Sequence, residues 1–123
     1  MNAEKIIEAD VQRSGVSTAR QSRFIVNRAI ERGAQALISG KTLFILKGNG
    51  EGRVQFMWFT ADDDVQFVDN VNKLLNMLKK AKAKSAFSVY SEPQANDWFT
   101  QVDKQYRPKV GRQNNHFKAE MRL

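Results

Sequence analysis

The sequence predicts one basic α/β domain, α+β in the order of its parts, built on a central mixed sheet, and three observations carry that expectation. A loop with three glycines, Lys47-Gly48-Asn49-Gly50-Glu51-Gly52, separates two apolar runs and so marks a β-hairpin. A long stretch after Asp62 puts Phe67, Val68, Val71, Leu74, Leu75 and Leu78 on one helical stripe. Shorter strand and helix patterns alternate beyond it. With 123 residues, 41% of them apolar, the chain can fill a single core. Its expected parts are a helical pair over 1–33, a hairpin over 36–60 and a helix-strand-helix-strand unit over 62–123.

Residues 3–13 place Ala3, Ile6, Ile7 and Val11 near one helical face, and Ser14-Gly15 stops that helix. Ser17 is the expected cap of a second helix, whose apolar positions Phe24, Ile25, Ala29 and Ile30 recur until Gly33. From Ala36 the pattern turns to β, with Leu37, Ile38, Leu43, Phe44, Ile45 and Leu46 before the glycine loop and 54–60 after it. Neither run alternates cleanly between apolar and polar, so helices are expected on both faces of the sheet.

Asp62-Asp63-Asp64 opens the main helix, and Lys79, Lys80, Lys82 and Lys84 close it. Acids at the start and bases at the finish oppose the helix dipole, each pairing worth about 0.3–1 kcal/mol. Residues 85–90 read as a strand with Phe87 and Val89 on one face. Ser91 is the expected cap of a final helix that tolerates Pro93 in its first turn and ends at Arg107-Pro108. Its apolar face is Ala95, Trp98, Phe99, Val102 and Tyr106, and 116–123 form a last strand with Phe117, Ala119, Met121 and Leu123 alternating.

Composition removes several classes of function. The chain has no cysteine, hence no disulfide, thiolate nucleophile or Cys-ligated zinc. A single histidine, His116, cannot build a multi-His metal site or, without a Gly-x-Ser-x-Gly turn, a serine triad. Asp62 to Asp64 lie at a helix start with side chains pointing apart, which suits capping better than Mg²⁺, so no metal is expected. The longest apolar runs, such as Phe56-Met57-Trp58-Phe59, fall far short of the roughly 18 residues of a spanning helix. The first residues lack a secretory signal pattern, which points to the cytoplasm of a host cell or to a virion.

The formal charge of +7 divides as +4 over 1–60, −3 over 61–78 and +6 over 79–123. Two basic ends around an acidic waist suit anionic partners. The glycines at 48, 50 and 52 lie between strands, whereas a phosphate-cradling loop leads into a helix, so they are turn residues. A nucleic-acid interface is one alternative, resting on Arg20, Arg23, Arg28, Arg32, Lys109 and Arg112, with Trp58 or Trp98 available for stacking if exposed.

The order of elements over residues 36–123, and the spacing of Glu92-Pro93-Gln94-Ala95-Asn96-Asp97-Trp98-Phe99, resembles the GNAT N-acetyltransferases and their Asn-x-x-Ala-x-x-x-Tyr stretch. The resemblance implies a GNAT-like fold in which the strands at 54–60 and 85–90 splay and acetyl-CoA lies in the opening. It differs in three ways: no glycine loop precedes the main helix, Glu92 stands for the Asn, and Phe99 for the Tyr. Phe59-Thr60-Ala61-Asp62 running straight into a helix is similar to small GNAT-like phage proteins.

That second likeness implies a protein with little or no catalysis and no cofactor, acting by binding a protein of the virion or of the host during takeover. The alternative it leaves is an active N-acetyltransferase using acetyl-CoA. Thr60, Ala61, Asp62, Asp63, Asp64 and Val65 would then meet the pyrophosphate, Glu92 would be the base, and Tyr90 or Tyr106 the acid.

Overall fold

The computed structural model describes residues 3–14, 19–60 and 64–123. The expected stop at Gly15, the cap at Ser17, and Ala61, Asp62 and Asp63 lie outside the described residues. Two helices, α1 (Ala3–Ser14) and α2 (Ala19–Glu31), lead into the strands β1 (Gln35–Ser39), β2 (Thr42–Gly48) and β3 (Arg53–Phe59). Helix α3 (Asp64–Lys80), strand β4 (Ser85–Tyr90), helix α4 (Gln94–Thr100) and strands β5 (Lys109–Gln113) and β6 (His116–Arg122) follow. The strands form one mixed sheet in the order β1-β2-β3-β4-β6-β5, with β3 and β4 parallel and every other pair antiparallel.

The expected hairpin over 36–60 is a three-stranded meander. Gly40, at φ +58°, turns β1 onto β2 through two residues, a tight reversal that reads in the sequence as an interruption of one apolar run. Buried Asn70 of α3 locks this turn: it accepts from Ser39 Oγ at 3.1 Å and donates to Thr42 Oγ1 at 3.0 Å. The glycine loop is a turn as expected, stapled by Asn49 Oδ1, which accepts from the backbone N–H groups of Glu51 and Arg53.

The final helix is also shorter than its apolar spacing suggests. Helix α4 stops at Thr100, and a single 3-10 turn, Lys104–Tyr106, carries Tyr106 into the core. Pro93 rather than Ser91 occupies its N-cap position, with no side-chain cap, while Asp103 caps the 3-10 turn by accepting from Gln105 N–H. The expected last strand is one arm of a second hairpin, because Asn114 adopts φ +55° and lets β5 fold back on β6.

Two cores form, one on each face. Phe44, Phe56, Phe67, Leu75, Trp98 and Phe99 fill the layer under α3 and α4. Ile6, Ile7, Val26, Ala29, Leu43 and Ile45 fill the layer under α1 and α2, with Met57 and Trp58 at its margin. On α2 the buried positions are Ser22, Val26 and Ala29, whereas Phe24, Ile25 and Ile30 face outward, Phe24 at 66% exposure. The helical pair covers only one side of its sheet face: on β4, Ala86, Ser88 and Tyr90 are buried, while Phe87 is half-buried and Val89 exposed.

Candidate functional site

Strands β3 and β4 run in register from Arg53 opposite Ser85 to Phe56 opposite Ser88, and there the ladder ends. The cause is a bulge. On the β2 side Ile45 faces Trp58 but Leu46 faces Phe56, so Met57 is an extra residue with no register partner in either neighbour. A bulge bends its strand and sharpens the local twist, which turns the end of β3 away from β4. Ser88 Oγ fixes the branch point by donating to Phe56 O at 3.0 Å. Beyond it, Trp58 and Phe59 pair only with β2, and Val89 and Tyr90 only with β6.

A cleft of about 340 Å³ opens between the parted ends. Met57, Trp58 and Phe59 line one side, and Val89, Tyr90, Ser91 and Glu92 the other. Asp10 of α1, Ile25 of α2 and His116 of β6 complete it. Sequence reasoning did not single out Asp10 or Met57. Asp10, a buried carboxylate on the apolar side of an amphipathic helix, was the readable sign; the bulge belongs to the pairing of two strands and has no signature in one.

Tyr90 stands at the back of the cleft with its ring in an aromatic stack. Phe99 lies 5.3 Å away and Phe117 6.1 Å, nearly parallel, and Phe59 meets it edge-on at 6.0 Å. Its hydroxyl donates to Asn96 Oδ1 at 2.6 Å. Burial disfavours the phenolate and pushes the Tyr90 pKa up to about 12, so the hydroxyl keeps its proton at neutral pH. Glu92, half-buried, follows two residues later at the mouth.

The other candidates are dispersed. Tyr106 is buried in the core under α4 and is not among the cleft-lining residues; burial, and then nearby Asp103, raise its pKa. Thr60 is buried with both polar groups engaged on β2: its N–H donates to Leu43 O at 3.0 Å and its Oγ1 accepts from Leu43 N–H at 2.9 Å. Val65 is exposed in the first turn of α3, which starts at Asp64. Ala61, Asp62 and Asp63 are outside the described residues.

Of the basic residues, Arg20 borders a hollow beside Phe24 and Ile25, Arg32 another near Gly33, and Lys109 and Arg112 a third on β5. Arg28 lies over the Phe24 ring at 6.0 Å and Arg23 is half-buried on the same helix. Trp98 is buried, which removes it from base stacking, while Trp58 is half-buried between the helical pair and the cleft. Among the described residues there is no acidic or histidine cluster suited to a metal, and no helix long and apolar enough to cross a membrane.

A crystal structure of a Bacillus subtilis acetyltransferase in complex with CoA superposes on this chain with a TM-score of 0.58, covering 84% of this chain and 85% of that one at 14% identity. The chain has a GNAT-like acetyltransferase fold. No family model and no curated protein sequence matches it. The strands that the resemblance expects to splay, at 54–60 and 85–90, are β3 and β4, and the cleft described above sits between their ends.

Proposed function

We propose that the chain is an acyl-CoA-dependent N-acyltransferase whose acyl thioester lies between the parted ends of β3 and β4 and whose amine acceptor enters the cleft under α1 and α2. The observation that carries this reading is the end of the β3–β4 ladder at Phe56 and Ser88, beside a cleft that holds both Tyr90 and Glu92. Acetyl-CoA, when bound, would supply an activated carbonyl and a thiolate leaving group. The backbone of Met57 to Phe59 that faces β4 has no strand beside it and suits an extended acyl arm, whereas Thr60, already bonded to Leu43, does not.

Glu92 is the acceptor for the amine proton, and Asp10 across the cleft adds a second carboxylate that favours a cationic acceptor. Tyr90 Oη holds a proton at neutral pH and is therefore a donor, not a base. Phe99, at the position where the resemblance places a tyrosine, offers only a buried ring, which leaves Tyr90 as the acid. Isothermal titration with acetyl-CoA followed by an acetyl-transfer assay over an amine panel tests the reading. Stoichiometric binding and transfer are expected, and a folded sample that binds no acetyl-CoA refutes it.

A second reading is supported by the outward-facing Phe24, Ile25 and Ile30 on α2, flanked by Arg20 and Arg28. It is the one implied by the likeness to GNAT-like phage proteins: a chain without cofactor that acts by gripping a protein of the virion or the host. Absence of acetyl-CoA binding, together with a defined protein complex that Phe24→Ser abolishes, would favour it.

A further inference from the structure

The helical pair leaves the far half of its sheet face bare, and cations far outnumber acids there. Cross-strand register sets them in rows on this face: Arg53 beside Ser85 and Arg122; Gln55 beside Phe87, Glu120 and Lys109; Val89 beside Lys118 and Gly111. Lys47 joins the middle row as the neighbour of Gln55. The opposite face of the same strands, at Ala86, Ser88, Ala119 and Met121, is buried, which fixes the direction of each side chain in the pleat.

Phe87 is the centre of the surface. The Arg53 guanidinium lies 4.2 Å from its ring centroid and Lys118 Nζ lies 5.5 Å from it. Glu120 is the acid in these rows; it bonds Lys118 at 3.0 Å, and Lys118, with Arg53 and Lys109, holds its carboxyl below the usual range. One carboxylate does not balance five cations. Two hollows lie on this surface, one lined by Lys47, Arg53, Gln55 and Phe87, the other by Lys109, Arg112, Gln113, Lys118 and Glu120.

We propose that this open face of β3, β4, β6 and β5 binds single-stranded nucleic acid. Excess positive charge meets the phosphates, the Arg53–Phe87 pair offers a planar surface on which an unpaired base can stack, and the amides of Gln55 and Gln113 can bond base edges. An acidic protein would satisfy the charge but would leave the stacking pair unused. The surface differs from the set of basic positions that the sequence suggested, sharing Lys109 and, at the hollow on β5, Arg112 with it, and it does not depend on acyl transfer.

The test is fluorescence anisotropy with a labelled twelve-nucleotide oligo(dT) and oligo(U), at low and moderate salt. Binding is expected with a log–log salt slope of about −3, the value for four or five phosphates neutralised on a single strand. The triple variant Arg53→Gln, Lys118→Gln, Arg122→Gln should lose about tenfold or more in affinity with unchanged circular dichroism, while Arg20→Gln with Arg32→Gln should lose none. Arg53→Lys should keep the salt slope and lose affinity through the stack alone. Absence of binding at low salt, equal loss in both sets of variants, equal affinity for duplex DNA, or equally effective competition by polyglutamate would each overturn the proposal.

Discussion

Phe56 and Ser88 are the last opposed residues of the parallel pair, and the Ser88 hydroxyl ties them together through the Phe56 carbonyl at 3.0 Å. Ser88 is fully buried, so Ser88→Ala removes a bond that water cannot replace. The expected loss is about 1–2 kcal/mol by urea unfolding. Acetyl-CoA affinity should fall with it, because the point at which the strands part is no longer fixed.

Tyr90→Phe keeps the aromatic stack and removes only the hydroxyl bonded to Asn96. If Tyr90 is the proton donor, kcat for acetyl transfer should drop about 10²-fold with acetyl-CoA binding unchanged.

The same residue makes stability depend on pH in a defined window. The unfolded phenol ionises near its ordinary 10.0 and the folded one near about 12, so the unfolded chain releases its proton first. The contribution is complete below pH 10 and declines as pH rises from 10 towards 12. Unfolding midpoints of the wild type and Tyr90→Phe should therefore converge across that window.

Asn70 is buried and bridges Ser39 and Thr42 across the first turn of the sheet. Asn70→Ala leaves the Thr42 hydroxyl without its donor and should cost about 1–3 kcal/mol, read as a lower urea midpoint at constant m-value.

Gly50 and Gly52 share φ +80°, yet only at Gly52 would a Cβ meet a neighbour, 3.0 Å from Lys84 Cγ. Gly50→Ala should cost about 1–2 kcal/mol from backbone strain alone. Gly52→Ala should cost more, since the Gly52 carbonyl also accepts from Lys84 N–H at 2.7 Å.

The long stripe from Phe67 to Leu78 and the glycine loop were plain in the sequence because each repeats a period or a turn chemistry over many residues. The turn at Gly40 was not, since one glycine between apolar residues looks the same in a strand and between two. Helix α2 misled for another reason. Its Phe24 and Ile25 are more apolar than Ser22, yet the stripe of Ser22, Val26 and Ala29 is the one that packs, because small side chains let the helix lie close to β2. At the cleft, Tyr90 and Glu92 were named through the resemblance and lie at the end of β4 and just beyond it, whereas Tyr106 shares the spacing of α4 without sharing its helix.

The short parallel ladder has a mechanical consequence. Strands β1, β2 and β3 fold back on one another through near neighbours in sequence, and β5 and β6 do likewise, whereas β3 joins β4 through four opposed residues and a whole helical crossover. Within the sheet, the meander β1-β2-β3 and the leaf β4-β6-β5 are thus welded along one brief seam. Amide exchange from partly open states should divide the molecule there, each leaf retaining its own protected hydrogens after the weld has let go.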